Sequence, residues 1–139
     1  MAVRINPYLV LNGNAEEAIK FYAEALGGTI HGIIKFGDNP FPGMPEEVKD
    51  RVMHAHLTIG DSALMFSDTY PGQEYTVGNQ VTVTLQVDSV AEAERLYAAL
   101  AEGAQKIEMP LQKTDWSPAY ASLTDKFGIP WQLNTNAEH

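Results

Sequence analysis

The sequence contains no cysteine and little basic charge, and both deficits restrict what it can do. Without cysteine there is no disulfide bond, no thiolate nucleophile and no zinc site with cysteine ligands. Lysine and arginine number 9 against 18 acidic residues, and the formal net charge of -9 argues against a nucleic-acid or anionic-membrane surface. No apolar run approaches the roughly 20 residues of a membrane span, and MAVRINPYLV is too short and too polar for a signal peptide. We therefore expect a cytoplasmic protein with neither a membrane nor a nucleic-acid partner.

The chain is long enough, at 139 residues, for one domain with a buried core, and its 45% hydrophobic content excludes disorder. Its most informative feature is an internal repeat. EEAIKFYAEALGG (16–28) aligns with AEAERLYAALAEG (91–103) at a constant offset of 75 residues. The offset matches Glu17 with Glu92, Tyr22 with Tyr97, and Gly28 with Gly103. This agreement indicates a duplicated unit.

Both repeated segments have the apolar spacing of amphipathic helices that lie across a sheet. Asn14 and Ser89 precede them and are the predicted N-caps. Each is followed three positions later by a glutamate, the spacing of a capping box.

Segments of β type surround each helix, so the predicted order is βαβββ followed by βαβββ. The predicted strands are 5–12, 29–37, 51–60, 62–68, 80–88, 105–110, 120–125 and 131–135. Proline and glycine predict irregular structure in 37–50, while 110–119 is a loop that carries Trp116. We divide the single domain, 1–139, into module one (about 3–69), a linker (about 70–79) and module two (about 80–136).

This arrangement resembles the vicinal oxygen chelate superfamily, which includes glyoxalase I, extradiol dioxygenases and bleomycin and fosfomycin resistance proteins. The segments that carry the resemblance are INPYLVLNGNAEEAIKFYAEALGG, FGDNPFPGMPEEVKDRVMHAHLTIGD, LMFSD and FGIPWQLN. They are most similar to the PhnB-like branch, also labelled 3-demethylubiquinone-9 3-methyltransferase domain. The resemblance implies an α+β fold in which two tandem βαβββ modules form a cupped mixed sheet with helices on the outer face. It also implies a small-molecule pocket in the cup and a homodimer.

The sequence does not support the methyltransferase label. Methyl transfer from S-adenosylmethionine normally needs a glycine-rich turn that follows a strand and opens a helix. The glycine pair Gly27-Gly28 instead ends a helix.

Metal enzymes of this superfamily hold their ion with four side chains, from the first and last strand of each module. By that resemblance the corresponding positions are Asn6 or Pro7, Met65, Thr82 and Gln132. Of these, only Gln132 has a plausible ligand oxygen, and glutamate would be usual there. We therefore expect no cofactor and no metal at these positions. The alternative is a divalent metal held by His54, His56 and Gln132, in an arrangement that differs from the superfamily's usual site.

His54 and His56 are two residues apart on a predicted strand and so share one face. His31 has no evident partner and is expected at the surface, and His139 is expected to be disordered. Trp116 is interpreted equally as a lid, a dimer contact or a core plug, whereas Tyr8 and Tyr22 are expected to be structural. Asp68 and Asp125, which follow strands, are expected to cap turns. The predicted ligand-binding residues, carried over by strand position, are His54, His56, Thr82, Trp116 and Gln132.

Three functions follow as hypotheses. The first is a PhnB-like protein that binds a small molecule in the cup without the usual metal site. The second is a divalent-metal lyase, isomerase or dioxygenase of the glyoxalase type. The third is a scaffold or regulatory protein whose cup is filled by its own side chains. Whether any reaction is catalysed is left open. We favour the first hypothesis.

Overall fold

The computed structural model describes residues 3–70 and 72–136. It divides into two compact units, Met1–Thr76 and Val77–His139, which we describe separately. The elements of the first unit are β1 (Tyr8–Leu11), α1 (Ala15–Leu26), β2 (Thr29–Lys35), α2 (Glu46–Lys49), β3 (Val52–Ile59) and β4 (Ser62–Asp68). Those of the second are β5 (Val83–Val87), α3 (Val90–Ala101), β6 (Lys106–Gln112), β7 (Tyr120–Thr124) and β8 (Pro130–Thr135). Across the two described stretches, every helix is too short or too polar to cross a bilayer.

The two units have the same sheet topology. The strand order is β1-β4-β3-β2 in the first and β5-β8-β7-β6 in the second. In each sheet the first and last strands of the unit pair in parallel, and the other pairs are antiparallel. The predicted α+β class and tandem βαβββ modules are confirmed.

Each long helix packs on one face of its own sheet. On α1 the predicted stripe is buried, and the Tyr22 ring stacks on Phe66 with ring centres 5.8 Å apart. In β3, Ala55 and Leu57 are buried on the side that contacts α1. Alternation therefore places their neighbours on the other side, which we call the distal face. The distal faces carry Tyr8, His54, His56, Thr58 and Met65 in the first unit and Tyr120, Ser122 and Gln132 in the second.

The two helices do not begin in the same way. Ser89 Oγ accepts a hydrogen bond from the Glu92 backbone at 3.2 Å, as predicted. Asn14 is the N-cap residue of α1, as predicted, but its side chain makes no cap hydrogen bond. Asp68, at the end of β4, replaces it because its Oδ1 accepts from the backbone of Ala15 at 3.0 Å. A cap supplied from another strand leaves no signal in the local sequence.

Several element boundaries differ from the prediction. The segment 37–50 contains α2, whose first turn carries Glu46 and Glu47 and whose last turn carries Lys49, in agreement with the helix dipole. A short 3-10 turn, Phe36–Asp38, precedes it. Strands β1 and β5 each begin three residues later than predicted, so Thr82 lies just outside β5.

Candidate functional site

In the first unit, Tyr8 and His54 contact each other on the distal face. The Tyr8 hydroxyl lies 3.1 Å from His54 Nδ1, and the two ring centres are 5.7 Å apart. Tyr22 is fully buried, as expected of a structural tyrosine, and Tyr8 is 44% exposed. Tyr8 lies on the face of β1 opposite the buried Leu9 and Leu11, which explains its exposure.

His31 belongs to the same face and has partners there. Its Nε2 lies 2.8 Å from Thr58 Oγ1, and its ring centre is 5.6 Å from that of His56. The expectation that His31 lacks a partner is therefore wrong. The cause is a β-bulge: Ile30 pairs with Leu57 and Gly32 pairs with His56, so His31 is the extra residue between them.

The strand register shows which residues stand opposite the predicted metal-site positions. Met65 pairs with Tyr8 of β1, and Gln132 pairs with Thr84 of β5. Asn6, Pro7 and Thr82 all precede these strands. Among the described residues no cluster of three or more His, Asp or Glu side chains could hold a metal ion.

In the second unit, a chain of neutral hydrogen bonds crosses the distal face. The Tyr120 hydroxyl donates to Gln132 Oε1 at 2.9 Å, and Gln132 Nε2 donates to Thr82 Oγ1 at 3.1 Å. These bonds hold the carboxamide in one orientation and use one of the two acceptor sites of its oxygen. The second N–H of Gln132 and the hydroxyl proton of Thr82 are left to donate to another molecule.

Trp116 packs edge-to-face on Tyr120 with ring centres 5.3 Å apart, and it is 60% exposed. That exposure contradicts the core-plug interpretation and leaves the lid and dimer-contact interpretations. Trp116 also lines a cavity of about 480 Å³ between residues 88–90 and 113–118. Cavities of this volume lie within the range of small-molecule sites.

The other tryptophan is structural, as the alternation of β8 requires if Gln132 is distal. Trp131 is 1% exposed, and its indole N–H donates to Asp125 Oδ2 at 2.7 Å. Asp125 Oδ1 also accepts from the backbone N–H groups of Phe127 and Ile129, so it holds the 125–129 turn as expected.

The charged groups with shifted pKa values lie away from both distal faces. The ammonium groups of Lys20 and then Lys35 lower the pKa of Glu16 on α1. The Arg95 guanidinium lowers the pKa of Glu92 on α3. The distal faces carry imidazole, phenol, hydroxyl, amide and thioether groups, together with the carboxylate of Glu108, which accepts a hydrogen bond from Thr124 Oγ1.

The five predicted ligand-binding residues thus fall into two sets. His54 and His56 lie on the distal face of the first unit, while Thr82, Gln132 and Trp116 belong to the second. Their prediction as ligand-binding residues stays a prediction. The sequence-based interpretation omitted Tyr8 and His31 from the site. The alternation of β1 could have indicated that Tyr8 lies on the distal face. No sequence signal marked the bulge that directs His31 to it.

The comparisons with known proteins cover nearly the whole chain. The model of the Glyoxalase/Bleomycin resistance protein/Dioxygenase superfamily matches residues 4–133. Protein YjdN of Escherichia coli (strain K12) is 32% identical over 139 residues, which cover 94% of this chain and 93% of YjdN.

The crystal structure of protein PA1353 from Pseudomonas aeruginosa is 43% identical with a TM-score of 0.89, and the match covers 99% of this chain and 100% of PA1353. A PhnB protein from Bacillus cereus, provisionally named 3-demethylubiquinone-9 3-methyltransferase, is 28% identical with a TM-score of 0.79, over 96% of this chain and 99% of that one. The predicted resemblance to PhnB-like members is confirmed.

Proposed function

Because this chain belongs to the Glyoxalase/Bleomycin resistance protein/Dioxygenase superfamily, we propose that it binds a small organic molecule on the distal face of its second unit, without the usual four-ligand metal site. The observation that carries the proposal is the Tyr120–Gln132–Thr82 chain of hydrogen bonds. A half-buried amide held in one orientation is preorganised for recognition, since little side-chain entropy is lost when a ligand binds.

The remaining hydrogen-bond donors and the exposed indole ring indicate the chemistry of the ligand. Gln132 and Thr82 each retain a donor, and the exposed ring of Trp116 offers an aromatic surface beside them. A planar body that carries a carbonyl or other neutral acceptor oxygen fits this combination. Trp116 also lines the cavity of about 480 Å³, which Gln132 and Thr82 do not line, so that cavity offers volume on the Trp116 side of the two donors.

The metal-dependent alternative has less support. None of the side chains at the predicted metal-site positions, Asn6 or Pro7, Met65, Thr82 and Gln132, is a carboxylate or an imidazole. Gln132 Oε1 is a neutral oxygen that already accepts a hydrogen bond from Tyr120, so it has one acceptor site left and no negative charge to offer a cation. Methyl transfer is not part of the proposal, because each described sheet has a single parallel strand pair and lacks the parallel α/β nucleotide-binding topology.

The proposal includes a homodimer. Strands β1 and β5 are sheet edges, and apolar side chains near them are exposed, with Ile5 at 94% and Val81 at 78%. Paired protomers are one means of protecting such edges. Size-exclusion chromatography with light scattering should give twice the chain mass, and the mass of a single chain would contradict this part.

The binding proposal is tested by thermal-shift screening followed by calorimetry. The panel contains bleomycin, planar heteroaromatic lactams, quinones and catechols. We expect a panel compound to bind, and Gln132→Leu or Trp116→Ala to weaken it by at least about 10-fold, the equivalent of one good hydrogen bond. Gln105→Leu is the matched control, because Gln105 bonds to the Lys126 carbonyl instead.

Two results would overturn the proposal. One is that no panel compound binds while an added divalent metal gives turnover of a glyoxalase or catechol substrate. The other is that binding occurs but is unchanged by both Gln132→Leu and Trp116→Ala.

A further inference from the structure

We propose that His31 and His56 form a binding site for a divalent first-row transition metal, with Cu²⁺ preferred. The two imidazoles belong to β2 and β3, whereas the superfamily holds its metal with residues of β1, β4, β5 and β8. Both histidines are in the first unit, and the residues of the proposed organic-ligand site are in the second.

The spacing of the two rings fits a shared ion. Their centres are 5.6 Å apart and their planes are inclined by 50°. Two imidazoles bound to one ion at the usual metal–nitrogen distance of about 2.0–2.1 Å have ring centres roughly 5–6 Å apart. The separation of the two rings therefore matches that of two imidazoles that share one ion.

The hydrogen bond to Thr58 prepares His31 as a ligand. When Nε2–H donates to Thr58 Oγ1 across the 2.8 Å separation, Nδ1 is the nitrogen with a free lone pair. Metal-binding histidines in general have their second nitrogen fixed by such an outer partner. Among residues 3–70 and 72–136, no hydrogen bond engages the ring of His56, so its nitrogens are available as well.

The backbone leaves room at this position. The bulge puts both His31 and Gly32 opposite His56, and Gly32 has no side chain to fill the space. A Cβ built at Gly32 would meet no atom within 4 Å. Bulges of this kind commonly redirect a side chain beside a functional site.

The neighbouring donors favour copper. Met65 pairs directly with His56 on β4, which places a thioether beside the two imidazoles. Imidazole and thioether ligands suit copper, and Cu²⁺ stands highest in the general affinity order of the divalent ions. His54 is not part of the site, because its ring contacts Tyr8 of β1, whereas the rings of His31 and His56 contact each other.

The test is calorimetric titration of tag-free, metal-free protein with CuCl₂ and separately with ZnCl₂, using glycine as a competitor for copper. We expect one Cu²⁺ per chain at this site, bound more tightly than Zn²⁺. Electron paramagnetic resonance of the copper form should show hyperfine coupling to imidazole nitrogen. Because the probe is the metal alone, the outcome is independent of any organic ligand.

Substitutions locate the ion. His31→Gln and His56→Gln should each weaken Cu²⁺ binding by at least 10-fold, and Thr58→Val by about 10-fold. The matched control, His54→Gln, lies on the same strand and face and should change the affinity less than twofold. Circular dichroism of each variant verifies that it is folded.

Three results would overturn the proposal: no imidazole-coordinated copper in the unsubstituted protein, unchanged binding in His31→Gln, or an equal loss in His54→Gln. A second control, His139→Gln, tests for copper held by the C-terminal residue. Loss of the site in that variant would also overturn the assignment to His31 and His56.

Discussion

Glu108 occupies in the second unit the position that His31 occupies in the first. Each is the extra residue of a bulge, since Ile107 pairs with Leu123 and Met109 pairs with Ser122. Each contacts the corresponding threonine, with Glu108 Oε2 accepting from Thr124 Oγ1 at 2.9 Å. The duplication therefore extends to a local backbone irregularity, while the side chain at the bulge has changed from an imidazole to a carboxylate.

This equivalence predicts that the histidine pair can be transferred. By register, Met109 corresponds to Gly32 and Ser122 to His56. The triple variant Glu108→His, Met109→Gly, Ser122→His should bind two Cu²⁺ ions per chain instead of one, measured by calorimetry. The control is the double variant Glu108→His, Ser122→His, which keeps Met109. It tests whether the space that glycine provides is needed for the second ion. A folded triple variant that still binds one ion would show that two imidazoles at this bulge do not suffice.

Asp68 is predicted to be a major contributor to stability. It is 1% exposed, and its carboxylate accepts from the backbone of Gly13, Ala15 and Val52. Asp68→Asn turns an N–H group towards one of these donors, so we expect a loss of about 1–3 kcal/mol in the free energy of unfolding. Urea denaturation measures it. Asp61→Asn, in an exposed turn, should stay within about 0.5 kcal/mol of the parent, and equal stability of the two variants would refute this role for Asp68.

The two tryptophans should respond differently to the same substitution. Trp131→Phe removes the buried donor to Asp125 and should lower the free energy of unfolding by about 1–3 kcal/mol. Trp116→Phe changes an exposed ring and should alter it by less than about 0.5 kcal/mol. Chemical denaturation of both variants checks the difference. Fluorescence supplies a second measure, since acrylamide should quench Trp116 in the parent far more than Trp131.

Gly28 should not tolerate a side chain. A Cβ there would lie 2.8 Å from the Thr58 carbonyl oxygen and 2.9 Å from Leu57 Cδ1. Gly28→Ala should therefore cost about 1–3 kcal/mol of stability through overpacking against backbone. Gly32→Ala, which meets open space, should be within about 0.5 kcal/mol of the parent. Thermal and urea unfolding compare the stability of the two variants. A Gly28→Ala variant as stable as the parent would contradict the close approach of Gly28 to β3.

The ion pair between Lys35 and Glu16 should give a pH-dependent contribution to stability. The pKa of Glu16 is lowered by Lys20 and Lys35, so its contribution is present above the unfolded pKa and is lost as pH falls through the folded value. The pKa of Lys35 is raised by Glu16, so its contribution is lost as pH rises through the folded value, which lies above 10.5.

Lys35→Met should accordingly lower Tm slightly at pH 7, and the difference should disappear towards about pH 3 and again in strong alkali. Added salt should reduce it because the pair is exposed. Lys106→Met serves as the control, since Lys106 makes no ion pair among the described residues. A Tm difference that is unchanged between pH 7 and pH 3 would exclude the pair as its cause.

The repeat made the fold accessible to prediction. Helix periodicity and strand alternation are local properties, and they correctly indicated the buried stripe of α1 and the inward position of Trp131. The aligned glycines show a limit of prediction from local sequence. Gly28 aligns with Gly103, yet the left-handed residues are Gly27 (φ 72°) and Gly103 (φ 69°). Gly28 is required for space beside Thr58 instead, and that contact depends on the approach of β3, which is distant in the sequence.

The sequence by itself determined the class of fold, the two modules and the side of each strand that faces a helix, because these follow from periodicities of 3.6 and 2 residues. Only the tertiary structure decided that Asp68 caps α1, that Tyr8 joins His54, and that His31 lies against Thr58 and His56. Each of these contacts joins segments that are distant in the chain, and the last also requires a bulge. Alternation of residue types records which face a side chain occupies, but it does not record which residue on the next strand stands opposite.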